Sequence, residues 1–234
     1  MIRVLVVAFI VSLIPAFFLY RWLKRQKDMP DGYADRCKRS LIGGMVCSLP
    51  VIGMSLVLHV IGNLLHFKDG NPVLYQAYYT FFVLAFSEEL MKFLALKRVI
   101  KGRSCSWLEV TVYMVLVGLG FEVLEAVPYA IGSGAGHMLV RGVTMMHVGF
   151  GFVTGYFYGK SRHLGNKAIA VGGFVLAWLM HGLYDFTLAE EVLALSDWIA
   201  AIPVTLAAVC VVLLFLIIRF VKKSRSKEPY ITVR

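Results

Sequence analysis

The stretch Phe81–Lys97, FFVLAFSEELMKFLALK, decides the fold, because it sets Glu88, Glu89 and Lys92 into the middle of an apolar helical pattern. The flanking residues are Phe, Val, Leu, Ala and Met, and the apolar run extends upstream through Leu74 to Tyr79. A bilayer crossing takes about 20 residues at ~1.5 Å each, and this stretch supplies them. Each ionisable side chain near the bilayer centre costs roughly 2.5–3.5 kcal/mol on insertion scales. Three of them within five residues are a functional signal rather than an accident. Glu88 and Lys92 are spaced i,i+4, and Glu89 and Lys92 i,i+3, so on a helix the lysine lies beside either carboxylate. A self-neutralising ion pair is the bland alternative, but one lysine cannot balance two carboxylates. A further group must face the second acid.

Composition agrees with a membrane setting. Of 234 residues, 59% are hydrophobic and 16% charged, and the mean hydropathy is +0.75; ordinary soluble domains are about 45–50% apolar and about 25% charged. The net charge of +10 does not point to nucleic acid, because the basic residues sit in short loops between apolar spans, the positive-inside pattern. The longest polar stretch, Arg21–Ser40, is too short to bury a core of its own. Cys37, Cys47, Cys105 and Cys210 form no CxxC pair, so neither a disulfide framework nor a thiolate metal site is indicated.

The expected architecture is an all-α, polytopic membrane helix bundle of about seven transmembrane helices. The spans are Val4–Tyr20, broken by Pro15; Leu41–Leu65; Val73 to about Leu96; Trp107–Ala130; Met138–Tyr158; Ala168–Leu188; and Trp198–Ile218. Basic residues follow the first span and no small-x-small cleavage site precedes them, so it reads as a retained helix. Asp69-Gly70-Asn71-Pro72 is a turn signal ahead of the third. The four segments expected on the inner side hold seven, four, three and six basic residues, against Arg3, Lys68 and Arg141 on or near the outer side. That asymmetry puts the N-terminus outside and the C-terminus in the cytoplasm. No inverted repeat of the transporter kind is evident.

Four spans carry ionisable residues well inside apolar sequence: Glu88, Glu89 and Lys92; Glu122 and Glu125; His147; and His181 with Asp185. The others carry almost none, His59 excepted. If the third to sixth spans surround one site, these groups satisfy one another away from lipid. In HGLYD, His181 and Asp185 are i,i+4, so the carboxylate can hold one ring nitrogen and fix the tautomer. In FEVLE, Phe121 and Glu125 share a face, with Glu122 about 100° from Phe121. Gly151, one turn after His147, is expected to leave room beside the histidine. By residue counting, Glu88 lies ~22 Å along its helix, on the inner half, whereas His181 and Asp185 fall on the outer half of theirs.

FSEELMKFLALK, GFEVLEAVPY, RGVTMMHVGFGFVTGYFYGKSR and HGLYDF, in that order on successive spans, resemble the PrsW family of bacterial intramembrane proteases, itself related to the CAAX-processing prenyl endopeptidases. The family's EExxK, FxxxE, histidine-then-GY and HxxxD motifs fall here on Glu88, Glu89 and Lys92; Phe121 and Glu125; His147 and Gly151; and His181 and Asp185. The resemblance covers roughly Phe81–Phe186, and Glu122 lies outside its pattern. It implies a single integral membrane domain over residues 1–234, with a protease-like core at about 73–188. It also implies a multi-pass protein of the bacterial cell membrane that makes the site-1 cut in a membrane-anchored, single-span substrate such as an anti-sigma factor in a stress-signalling cascade. The partners expected are that substrate and the lipid bilayer, with no nucleic acid.

Peptide hydrolysis needs an activated water, a donor to the tetrahedral oxyanion and a proton for the leaving amine. Glu88 or Glu89, in apolar surroundings beside Lys92, is the candidate general base. His147 or His181 would orient the water or donate to the oxyanion, with Asp185 holding His181. Glu125 would carry a second proton or partner a histidine. Metal-free glutamic catalysis without a cofactor is the first expectation. The alternative is zinc held among Glu88, Glu89, Glu125, His147 and His181, although HExxH is absent. A proton-coupled transporter would bury the same residue types but would carry flux and release no cleaved product, and haem held by His147 and His181 would colour the protein.

Overall fold

Helix is the only regular secondary structure among the described residues of the computed structural model, which describes residues 2–26, 29–65, 70–132 and 144–223. In chain order the helices are α1 (Ile2–Lys24), α2 (Tyr33–Val46), α3 (Ser48–Leu64), α4 (Pro72–Tyr78), a π-wound stretch (Tyr79–Phe86), α5 (Ser87–Val99), α6 (Trp107–Gly132), α7 (Met146–Leu164), α8 (Lys167–Thr187), α9 (Glu190–Leu193), a 3₁₀ turn (Asp197–Ala200) and α10 (Ala201–Lys223). Among the described residues, four helical stretches are long and apolar enough to cross a bilayer: Tyr33–Leu64, Trp107–Ala126, Lys167–Thr187 and Asp197–Lys223. The chain is a membrane protein.

α6 is the hub. Of its apolar stretch 83% is buried, against 17–22% in the other three, and a helix apolar on every side is one that other helices surround. Glycines bring those neighbours to backbone contact. A Cβ on Gly120 would lie 2.0 Å from the Leu41 carbonyl oxygen, and one on Gly44 2.0 Å from that of Val117, so α2 and α6 are mutually notched. α7 runs antiparallel to α6 and closes on it through Gly118, Gly151, Gly155 and Gly159. Without a hydrophobic drive between helices in lipid, such close approach is what holds them together.

Several sequence expectations need correction. Gly151 does not open space beside His147: a Cβ there would sit 2.8 Å from the Met114 carbonyl oxygen, so the missing side chain serves α6–α7 packing. Pro15 does not break α1, which continues to Lys24, as membrane helices tolerate when neighbours satisfy the freed carbonyl. The polar stretch before Leu41 is helical from Tyr33, with Tyr33, Cys37, Ser40 and Gly44 forming its buried stripe. The second span is instead interrupted at Cys47. Pro50 explains the break, since it lacks an N–H and its ring crowds the carbonyl four residues earlier. In the fifth span the described residues begin at Thr144, which is helical, and after a break at Met145 the helix runs on from Met146; Met138 and Arg141 lie outside the described residues, as do Lys68, Asp69 and the basic tail beyond Lys223.

The third span carries a feature with no mark in the sequence. Asn71 caps α4 by accepting from the Val73 and Leu74 N–H groups, with Pro72 at the first helical position. The chain then winds as a π-helix for eight residues before α5. Donors from both flanking helices reach carbonyls of this stretch: Trp178 Nε1 donates to Phe81 and Ser55 Oγ to Val83. The wide turn ends at Phe86, directly before Ser87, Glu88 and Glu89.

Candidate active site

The acids and the lysine occupy the first two turns of α5. Lys92 Nζ donates to Glu89 Oε1 at 2.8 Å and to Glu88 Oε2 at 3.3 Å. Glu89 and Lys92 are wholly buried, and Glu88 nearly so. The group that faces the second acid comes from α8, where His181 Nδ1 lies 3.0 Å from Glu89 Oε1. The other nitrogen of His181 is 3.3 Å from Asp185 Oδ2 and 3.8 Å from Glu88 Oε2. The i,i+4 spacing in HGLYD therefore places the carboxylate against the ring.

His147 enters from the first turn of α7. Its Nδ1 lies 2.8 Å from Lys92 Nζ and 4.0 Å from Glu88 Oε2, and its Nε2 meets Glu125 of α6. Phe121 closes the cluster: its ring lies under Lys92 Nζ at 4.2 Å from the centroid and edge-on to His147. A cation over a desolvated aromatic face is held by the ring quadrupole, so Phe121 supports the lysine without offering it a proton acceptor.

The residues that counting assigned to opposite halves of their helices thus come together, Glu88 Oε2 lying 3.8 Å from His181 Nε2. All six candidate acids and histidines, with Lys92 and Phe121, meet at one place between α5, α6, α7 and α8. Asp185 and Glu125 are its open members, with side chains 24% and 20% exposed, while Glu89 Oε2 is buried with no hydrogen-bond partner among the described residues. His59 stays apart, edge-on to Tyr79. Sequence reading counted Glu122 among the buried ionisable residues but gave it no role; it accepts from the His147 backbone N–H at 3.2 Å. Its only available signal was a second carboxylate buried in an apolar span.

A helical membrane protein whose helices enclose two acids, a lysine and two histidines has a buried acid–base centre. Residues 38–218 match the family described as PrsW family intramembrane metalloprotease, and the chain belongs to that family. The match takes in most of α2, all of α3 and most of α10, which the sequence motifs did not reach. Protease PrsW of Bacillus subtilis is 39% identical over 93 residues, 38% of this chain and 41% of that protein. Protease PrsW of Oceanobacillus iheyensis is 27% identical over 152 residues, 62% of this chain and 70% of the relative. That of Shouchella clausii is 29% identical over 152 residues, 62% and 71% of the two chains. The chain thus spans about two-fifths of the B. subtilis relative. No solved structure matches.

The family's description raises the question of a metal. Glu88, His147 and His181 each offer one ligand atom, and these lie within 4.8 Å of one another in buried positions. Two imidazoles and a carboxylate are a donor set of the catalytic zinc type. The residues present therefore fit such an ion.

Proposed function

We propose that the chain is an intramembrane endopeptidase that hydrolyses a peptide bond of a membrane-anchored protein with a water activated by Glu88. The observation that carries this is the approach of Glu88 Oε2 to His181 at 3.8 Å and to His147 at 4.0 Å. A water hydrogen-bonded at ~2.8 Å to two groups in tetrahedral directions holds them about 4.6 Å apart, whereas a zinc ion at ~2.1 Å draws its ligands to about 3.4 Å. The separations lie between these values, so a water would bridge them after they part by roughly 0.6–0.8 Å and an ion after they close by roughly 0.4–0.6 Å. Glu88 takes its proton, since Glu89 is already committed to Lys92 and His181. His181, steadied by Glu89 at Nδ1, turns its Nε2–H from Asp185 to the oxyanion, and Glu88 returns the proton to the leaving amine.

A zinc ion is the second reading, favoured by the convergence of Glu88, His147 and His181. Those three residues would hold it, and it would supply hydroxide at neutral pH. In the metal-free reading Lys92 and Glu125 orient His147 from its two nitrogens; to hold an ion His147 would have to release Lys92 or Glu125 from one of them.

The surrounding protein is read as a multi-pass protein of the bacterial cell membrane with seven spans, N-terminus outside and C-terminus in the cytoplasm, supported by the basic residues grouped at Arg21–Arg39, Lys97–Arg103 and Lys160–Lys167. The family resemblance supports a single-span substrate such as an anti-sigma factor cut at site 1. Co-expression with such a substrate tests the reading: cleavage by the wild type is expected to be lost in Glu88→Gln, His147→Ala and His181→Ala. Cleavage unaffected by all three substitutions would remove the protease assignment.

A further inference from the structure

α7 starts in an unusual way at the point where it carries His147. The residue before it, Met145, has φ 43° and ψ 56°, the single non-glycine residue with positive φ among the described residues. Met145 supplies no side-chain cap, and the first turn of α7 contains no acidic residue. The opening N–H groups of a helix have no intrahelical partner and favour a negative charge. Val148 and Gly149 N–H turn back to the Met145 carbonyl. The His147 N–H is met instead by Glu122, from a different helix.

Glu122 belongs to a single face of α6 that addresses both the backbone and the ring of His147. Gly118, Phe121, Glu122 and Glu125 are spaced i, i+3, i+4 and i+7, one stripe of a helix. A Cβ on Gly118 would lie 2.2 Å from the His147 carbonyl oxygen, so this glycine sets how closely the His147 backbone can sit. Phe121 packs edge-on to the ring and Glu125 takes its Nε2. Glu122 is buried, so its bond to the N–H works in surroundings where losing a partner is costly.

We propose that Glu122 is a positioning residue: it caps α7 from the neighbouring helix and thereby aims the His147 ring between Lys92 and Glu125. This rests on the reading of His147 as part of the active site. Glu122 meets the histidine's backbone N–H, and its effect on the reaction passes through that histidine.

The test compares Glu122→Gln, which keeps a carbonyl acceptor, with Glu122→Leu, which removes it. Amide hydrogen exchange in the peptide covering the first turn of α7 is read beside cleavage kinetics on a single-span substrate. Glu122→Leu is expected to raise exchange about tenfold and to lower kcat roughly 10–100-fold, with KM within about twofold because Glu122 does not hold substrate. Glu122→Gln is expected to stay within about threefold of wild type in both readouts, as the retained acceptor requires. Unchanged exchange in Glu122→Leu, or equal loss of kcat in the two variants, overturns the inference. If Glu122→Leu does not fold, Glu122→Ser, polar but too short to reach the N–H, takes its place with the same expected outcomes. Exchange that responds in a protein whose wild type cleaves nothing leaves the cap standing and defeats the protease reading alone.

Discussion

Lys92 Nζ and His147 Nδ1, 55 positions apart in sequence, lie 2.8 Å from each other. An ammonium group has only donors, so Nδ1 must accept. The ring proton of the neutral imidazole is then on Nε2, the nitrogen that faces Glu125. Lys92 thereby selects the tautomer of a histidine on another helix, while its remaining donors hold Glu89 and Glu88. One cation orders both the acid pair and an imidazole.

Removing that cation is expected to be severe. Lys92→Met leaves Glu89 fully buried with its main counter-charge gone, and breaking a buried pair from one side costs about 3–5 kcal/mol. Unfolding in detergent followed by tryptophan fluorescence measures the loss, and cleavage disappears with it. A Lys92→Met protein as stable as wild type contradicts the assignment of Lys92 as the organising charge.

The two acids are expected to behave differently. Glu88→Gln retains the shape of a side chain whose contacts are 3.3 Å or longer, so the fold survives while kcat falls by about 10²–10⁴, the usual contribution of a general base. Glu89→Gln deprives both Lys92 and His181 of a charged partner, so it loses stability as well as activity. Thermal unfolding of the pair, run beside the cleavage assay, separates the roles; equal stability losses in both would place the base elsewhere.

Metal content decides between the two forms of the reaction. With water activated by Glu88 alone, purified active protein carries zinc well below one equivalent and keeps its activity in chelator. One equivalent of zinc, lost together with activity on chelation and restored by zinc, assigns Glu88, His147 and His181 as ligands instead.

Helix packing supplies a test remote from the chemistry. Gly120→Ala pushes a methyl group toward a carbonyl oxygen of α2 only 2.0 Å from the ideal Cβ position. Forced repacking of this kind costs typically 1–3 kcal/mol, read as a lowered unfolding midpoint in detergent. A midpoint equal to wild type shows that α2 and α6 are not in backbone contact.

The part of the site that could be read from sequence is the part written within single helices. Glu88 with Lys92, Phe121 with Glu125 and His181 with Asp185 are each one turn apart, so spacing alone joined them. Their gathering on four successive spans then followed from the cost of leaving charges in lipid. The role of Glu122, though not its burial, escaped because its partner is a backbone group on another helix, 25 positions later. The helical character of Tyr33–Ser40 was hidden by Arg36, Lys38 and Arg39, which looked like loop charge. In the structure Arg36 turns inward to Tyr113 and Glu109. The π winding of Tyr79–Phe86 left no compositional trace, since Phe, Val, Leu and Ala suit either winding. Gly151 misled because a missing side chain does not say which neighbour needs the room.

The placement of Lys92 one turn after its acids also bears on biogenesis. When α5 leaves the ribosome, the helices carrying His147 and His181 have yet to be synthesised, so no imidazole is there to receive the carboxylates. The lysine reaches both acids without leaving its own helix, so the nascent segment carries one uncompensated acid rather than two. The histidines, arriving later, take up a charge cluster that has already crossed its costliest step.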